Sequence, residues 1–125
     1  MPKRRTVRLD VAGARARLKE AQLHLAAAEL LDLGAPAENK VAGSNAILAG
    51  TAAADAICGL VLGKRSAGDD HADAEGLLRR ATHPSTKAAG KTPVQYGTDA
   101  ISASDASDLV AWALDIVREA EARDR

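Results

Sequence analysis

The 125-residue chain has almost no aromatic side chains: no Phe, one Trp and one Tyr. The β-branched and aromatic residues that strands prefer are scarce, whereas alanine is abundant. Alanine is the best helix former, and its small side chain lets helices approach closely. The composition therefore predicts an all-α protein, and the length suits a single domain.

Cysteine and excess charge are also missing. The single Cys58 excludes an internal disulfide and a cysteine metal cluster, and its apolar helical surroundings predict a buried small hydrophobe. The chain has 17 Lys and Arg against 17 Asp and Glu, a formal net charge of +0. A protein that coats nucleic acid nonspecifically carries a basic excess, so this balance argues against a general DNA or RNA binder. It does not exclude a small site for one or two phosphates.

Long apolar runs without charge or glycine are absent, and no apolar signal region follows the basic start. We therefore expect a soluble, cytoplasmic protein without membrane contact. Residues 1–9 are expected to form a flexible basic arm, and residues 10–122 a single helical-bundle domain.

Helix start and stop residues predict four helices. They cover about residues 11–33, 44–63, 69–80 and 103–117. Asp10 is the predicted N-cap of the first helix and Ser44 or Asn45 that of the second, because residues 34–43 contain glycine and proline. Ser102 is expected to cap the last helix, with Asp105 in a capping-box-like position. These elements favour an up-and-down four-helix bundle with a shortened region between helices 3 and 4.

The first helix carries two leucine stripes, Leu18 with Leu25 and Leu23 with Leu30, which are offset by about 140° at 100° per residue. We expect one stripe to face the core and the other a partner chain. Glycines in the second helix predict close approach by another helix: Gly50, Gly59 and Gly63. The last helix has a predicted core stripe: Ala106, Leu109, Val110, Ala113, Ile116, Val117 and Ala120.

Arg65 and His71 are the leading candidates for chemistry. Arg65 follows the glycine that ends the second predicted helix, and its planar guanidinium suits phosphate. His71 falls in the first turn of the third predicted helix, where amide groups favour an anion. His71 is suited to act as a base on a ribose 2′-hydroxyl or as an acid to the leaving oxygen, while Arg65 stabilises the growing charge. This scheme needs no metal.

Acidic residues near this pair have alternative roles. Asp55 is the only charged residue between Lys40 and Lys64, so it must reach solvent, a cap or a cation. It lies roughly 15 Å from Arg65 along a helix, which disfavours pairing within one chain. Pairing with Arg65 of a partner chain is one alternative. Asp70, like Asp69, is expected to cap the third helix or to orient His71.

The remaining candidate residues have mainly structural interpretations. The acidic residues around His71 lack the Glu-x-x-His pattern of bundle metal sites, so we predict no metal and no cofactor. His24 is expected at the surface or at an interface, and His83 in a loop. Tyr96 could stack on a base or pack on the bundle, and Trp112 is expected in the core or a dimer contact.

A longer pattern surrounds the Arg–His pair. It comprises Ala52-Ala53-Ala54-Asp55-Ala56-Ile57-Cys58, Gly63-Lys64-Arg65, Gly68-Asp69-Asp70-His71, Leu77-Leu78, Lys91, Tyr96-Gly97, Ile101-Ser102 and Asp105-Ala106. This pattern resembles the HEPN superfamily, whose hallmark is an arginine and, after four to six residues, a histidine at the junction of two bundle helices. The resemblance extends over roughly residues 10–120.

The resemblance implies a homodimeric helical bundle in which two Arg–His pairs form a composite cleft. Catalytic members are metal-independent endoribonucleases, often toxins or defence factors paired with a nucleotidyltransferase-like antitoxin. Arg65 and His71 then become catalytic, with Lys64 and Tyr96 as candidates for binding RNA. Ser66 stands where many members have Asn, Asp or His, and residues 82–95 are abbreviated.

Two other functions remain open. A HEPN-like fold also serves as a non-catalytic dimeric interaction module or binds nucleotides, because fold alone does not determine function. The basic arm, Lys3–Arg8, is an alternative contact for DNA.

Overall fold

A computed structural model describes residues 6–32, 35–67 and 102–124. Its elements are β1 (Thr6–Arg8), α1 (Val11–Leu31), α2 (Pro36–Leu62), β2 (Lys64–Ser66) and α3 (Ala103–Arg123). The described part of the chain is mostly helical, as the composition predicts, and contains three helices. The third helix predicted from the sequence, residues 69–80, and the irregular region after it lie outside the described residues.

Side-chain pairs fix the directions of the three helices. Arg17 near the start of α1 contacts Asp55 near the end of α2, and His24 further along α1 contacts Asn45. The pairs that align α1 with α3 are Arg15–Asp124, Gln22–Glu121 and Asp32–Ser107. In both cases the residue numbers rise along α1 while those of its partners fall, so α1 is antiparallel to α2 and to α3. The helices α2 and α3 are consequently parallel to each other.

Alanine and glycine allow the helices to pack closely. The largest fully buried side chains are Ile57 and Ile116, and most other core positions are alanine. A Cβ atom on Gly50 would overlap the Trp112 ring, and one on Gly59 would lie 2.9 Å from the Ala14 Cβ. The predicted close approach is therefore confirmed at these two glycines.

Of the two roles predicted for Gly63, the helix end is confirmed and the close approach is not. An added Cβ would meet nothing within 4 Å, so none of the described helices approaches it closely. Its φ of 71° lies in the left-handed region, and its amide N–H donates to the carbonyl of Gly59. Gly63 thus ends α2 because glycine adopts this conformation without a Cβ penalty.

The predicted caps of α1 and α3 are confirmed. The Asp10 carboxylate accepts a hydrogen bond from the Gly13 amide at 2.8 Å, and the Ser102 hydroxyl accepts one from the Asp105 amide at 3.0 Å. All seven residues of the predicted core stripe in α3 are buried.

The C-terminal ends of two helices differ from the sequence-based boundaries. The helix α1 ends at Leu31, whereas the expectation was Leu33. The last helix was expected to end at about residue 117, but α3 continues to Arg123, whose guanidinium pairs with Glu119 at 2.8 Å. An i,i+4 ion pair of this kind supports the last turn.

The start of α2 is the largest correction. The helix begins at Pro36, so the stretch predicted as a loop is largely helical and neither Ser44 nor Asn45 is its cap. Proline suits the first helical position because the amide that it lacks would have no partner within the helix there. The Asn45 side chain instead donates to the carbonyl of Val41, one turn earlier in the same helix.

Part of the expected basic arm is a strand. Thr6–Arg8 pair antiparallel with Lys64–Ser66, and the Leu9 amide donates to the Gly63 carbonyl at 2.9 Å. The left-handed turn at Gly63 directs the chain away from α2 and beside the residues that precede α1. We call this two-stranded unit, β1 with β2, the ribbon.

Burial separates the two leucine stripes of α1. Leu18 and Leu25 are each only 6% exposed and lie in the core, as expected for one stripe. Leu23 and Leu30, at 59% and 73% exposure, point away from it. The second stripe is therefore an apolar surface of the described chain.

Within the described residues, one helix, Ala37–Leu62, is long and apolar enough to span a membrane by length and composition. Half of its most apolar window is buried inside the protein. Core helices of soluble proteins meet the same criteria, so this feature is weak evidence for a membrane span.

Candidate functional site

The ribbon fixes the position of Arg65. Arg65 lies in the middle of β2, directly opposite Val7 of β1, and is half-buried. Its Nη1 donates to the Ser66 carbonyl at 3.1 Å. No carboxylate among the described residues lies within ion-pair distance of its guanidinium. The remaining N–H groups of this planar fork are suited to an anion.

Arg17 joins two carboxylates beside this region. Its Nη2 contacts Oδ2 of Asp55 at 2.8 Å, and its Nη1 contacts Oε2 of Glu20 at 2.7 Å. The Asp55 side chain is only 13% exposed, so a cation must offset the loss of its hydration. Of the alternatives open for Asp55, pairing with a cation is confirmed, and that cation is Arg17 of the same chain.

Burial raises the pKa of Asp55 above the ordinary aspartate value. The hydrogen bond and the charge of Arg17 oppose this rise, as does the charge of Arg65, whereas Glu20 adds to it. Desolvation is the largest effect, and the net pKa remains raised. Although Asp55 and Arg65 form no direct ion pair, the charge of Arg65 therefore acts on Asp55 within one chain.

Ser66 is buried at the end of β2, with only 9% of its surface exposed. Its hydroxyl oxygen has no hydrogen-bond partner in the described part of the chain. Because strand neighbours point to opposite faces, Ser66 and Arg65 project from different sides of the ribbon. A contribution of Ser66 to chemistry at Arg65 therefore remains a prediction.

Lys64 lies directly opposite Arg8 in the ribbon. Arg8 is exposed and Lys64 is half-buried. The structure thus adds Arg8, which the sequence placed only in a basic arm, to the surroundings of Lys64 and Arg65. These three cations lie next to one another in the strand pairing.

Several predicted site residues lie outside the described residues: His71, Asp69, Asp70, His83 and Tyr96. The catalytic pairing of Arg65 with His71 therefore stays a prediction. Among the described residues, no group of three or more His, Cys, Asp or Glu side chains could hold a metal ion. This statement does not cover the acidic residues around His71, which lie outside the described part of the chain.

Arg17 is the functional-site residue that sequence reasoning missed. A signal for it existed, because an isolated buried carboxylate needs a cation and an antiparallel α1–α2 pair brings the start of α1 to the end of α2. The pairing of Arg8 with Lys64 had no comparable signal, since it depends on the register of two very short strands.

Neither a protein-family model, nor a curated protein, nor a solved structure matches this chain.

Proposed function

We propose that the protein is a metal-independent endoribonuclease of HEPN type, with Arg65 and His71 as its catalytic residues. The observation that carries the proposal is the placement of Arg65. Arg65 follows the end of α2, its backbone is held by strand pairing, and its guanidinium has no carboxylate partner among the described residues. A guanidinium that no described carboxylate neutralises is suited to a scissile phosphate.

The proposed reaction is an internal transesterification. The ribose 2′-oxygen attacks phosphorus, the P–O bond to the 5′-oxygen breaks, and a 2′,3′-cyclic phosphate and a 5′-hydroxyl result. His71 removes the proton from the 2′-hydroxyl or supplies one to the leaving oxygen. Arg65 stabilises the additional negative charge on the phosphoryl oxygens. Lys64 and Tyr96 are the proposed contacts to neighbouring parts of the RNA.

Asp55 and Arg17 support Arg65 electrostatically in this proposal. Asp55 lies in the field of Arg65, but its carboxylate is already held by Arg17. Arg65 consequently keeps its remaining hydrogen-bond donors for substrate, while the nearby negative charge offsets part of its desolvation cost. Asp70 is proposed to orient His71, and Ser66 to hold the local strand.

We further propose a fourth helix at residues 69–80 and an up-and-down bundle. The parallel direction of α2 and α3 supports this arrangement, because a connection between them has to join opposite ends of the bundle. The protein is further proposed to form a homodimer with a composite cleft and to act in the cytoplasm. Its proposed role is that of a toxin or defence factor that is paired with a nucleotidyltransferase-like antitoxin.

One observation favours the alternative, a non-catalytic dimeric interaction module. The exposed leucines of α1 form an apolar stripe. Arg17 lies at the level of Asp55, and Leu30 is roughly 20 Å further along α1. A dimer formed through this stripe would therefore bury apolar surface without requiring Arg65 in the interface.

The decisive variant for catalysis is His71→Ala. With single-stranded RNA and EDTA, the wild type should release products that end in 2′,3′-cyclic phosphate. His71→Ala should reduce the rate by about 10²–10⁴-fold, the range of general acid–base catalysis. His24→Ala is the matched control and should cleave at the wild-type rate, and circular dichroism should show that both variants are helical. An unchanged rate in folded His71→Ala would contradict the proposed role.

A further inference from the structure

The register of the ribbon places two cations side by side. Arg8 and Lys64 are direct partners across the antiparallel strand pair. Directly opposite residues have Cβ atoms roughly 4.5–5.5 Å apart, and like charges at such positions destabilise a strand pair. By this rule, the Arg8–Lys64 pairing disfavours the ribbon unless another group compensates the two charges.

No acidic side chain compensates this pair in the described part of the chain. Neither Arg8 nor Lys64 forms an ion pair with a described carboxylate. Asp10, the acidic residue nearest to Arg8 in sequence, uses its carboxylate to cap α1 through the Gly13 amide. No described carboxylate therefore competes with an external anion for the two positive charges.

We propose that Arg8 and Lys64 bind phosphate groups of single-stranded RNA that flank the phosphate at Arg65. Arg65 is adjacent to Lys64 in β2 but leaves the opposite face of the ribbon. An RNA strand bound at Arg65 would pass over the edge of the ribbon and bring a neighbouring phosphate within reach of Arg8 and Lys64. This inference rests on the proposed function for the identity of the polyanion.

If the Arg8–Lys64 pair serves binding, one substitution should change the stability of the protein and its affinity for RNA in opposite directions. Arg8→Glu places a carboxylate beside Lys64, so it should raise the melting temperature of the free protein by about 1–4 °C. The same variant should weaken RNA binding by about tenfold at roughly 50 mM salt. If Arg8 served only the fold, its substitution would not raise the melting temperature while weakening RNA binding.

The binding probe is a fluorescent single-stranded RNA with 2′-O-methyl groups, which cannot undergo the transesterification. Its affinity is measured by anisotropy across a salt series. Arg8→Gln and Lys64→Gln should each reduce the slope of log K against log salt by about 0.7, the value for one phosphate contact on a single strand. Lys19→Glu and Lys19→Gln, at an exposed position of α1, are the matched charge controls.

Three outcomes would overturn the inference: RNA binding by Arg8→Glu that matches Lys19→Glu, an unchanged salt slope, or a lower melting temperature of Arg8→Glu. The cleavage assay is independent of this test. If the slopes fall as stated but wild type and His71→Ala are equally inactive, the binding site stands and the nuclease proposal fails. If the wild type cleaves RNA and Arg8→Glu binds like Lys19→Glu, only the binding site fails.

Discussion

At the residue scale, one arginine organises the charges between the first two helices. Arg17 contacts Asp55 at 2.8 Å and Glu20 at 2.7 Å, and Asp55 also lies in the field of Arg65. The sequence indicated that Asp55 must reach solvent, a cap or a cation, because no other charge occurs nearby on α2. Which cation meets it depends on the packing of α1 on α2, so the sequence did not identify Arg17.

Asp55 should make stability depend on pH in an unusual direction. Its pKa is raised in the folded protein, so the folded state binds more protons than the unfolded state between the ordinary and the raised pKa. Its contribution to stability is then present at low pH and is lost as pH rises through this window. Urea unfolding at several pH values should show that the stability advantage of wild type over Asp55→Asn grows as pH falls through the window.

The exposed Asp108 on α3 provides a matched control, and the advantage over Asp108→Asn should not follow this dependence. An ordinary exposed ion pair behaves oppositely, because protonation of its carboxylate removes the attraction. A stability advantage over Asp55→Asn that shrinks on acidification would therefore show that attraction to Arg17 outweighs burial at Asp55.

At the element scale, local chemistry determines which boundaries the sequence predicts well. Asp10 and Ser102 have side-chain oxygens that accept the first amides of α1 and α3, and both caps were predicted. The start of α2 has no side-chain cap, and Pro36 acts there as the first helical residue. Proline is compatible with both a loop and a helix start, so the stretch before Ser44 was wrongly predicted as a loop.

The ribbon could not be predicted from periodicity. Each strand has three residues, too few to show the alternation of a strand. Its formation depends on the turn at Gly63 and on the contact of β2 with the residues before α1, both of which are tertiary features. The sequence therefore identified Arg65 as a candidate but not the backbone that holds it.

At the scale of the whole molecule, α2 is the central packing element, because it packs extensively on both α1 and α3, whereas α1 and α3 contact each other much less. The helix α1 is antiparallel to both α2 and α3, and its leucines at positions 18 and 25 enter the shared core. The alanine-rich composition predicted close helix packing, and the contacts at Gly50 and Gly59 confirm it. The second leucine stripe has no role within the described core, and it is the surface through which the alternative, non-catalytic module would dimerise.

We expect Leu23→Glu/Leu30→Glu to convert a dimer into a monomer. Two buried leucines at an interface would each contribute about 1.5–3 kcal/mol, and a carboxylate there would be costly to desolvate. Light scattering after size-exclusion chromatography at micromolar concentration measures the change directly. Wild type should have the mass of two chains, and the double variant that of one chain.

The matched control for this prediction is Ala111→Glu/Ala122→Glu, which adds the same charges at exposed positions of α3 and should remain dimeric. A wild type with the mass of one chain would contradict the homodimer. A double leucine variant that keeps the mass of two chains would place the interface elsewhere on the molecule.

The proposed nuclease activity is tested by cleavage of RNA in EDTA, with single-stranded DNA of the same sequence as the comparison. We expect wild type to cleave the RNA to 2′,3′-cyclic phosphate ends and to leave the DNA intact, since DNA lacks the attacking hydroxyl. Arg65→Ala should slow cleavage by about 10²–10³-fold, whereas Arg118→Ala on the exposed surface of α3 should not. Equal cleavage of RNA and DNA, or a folded Arg65→Ala that cleaves as fast as wild type, would show that the protein is not a nuclease of this type.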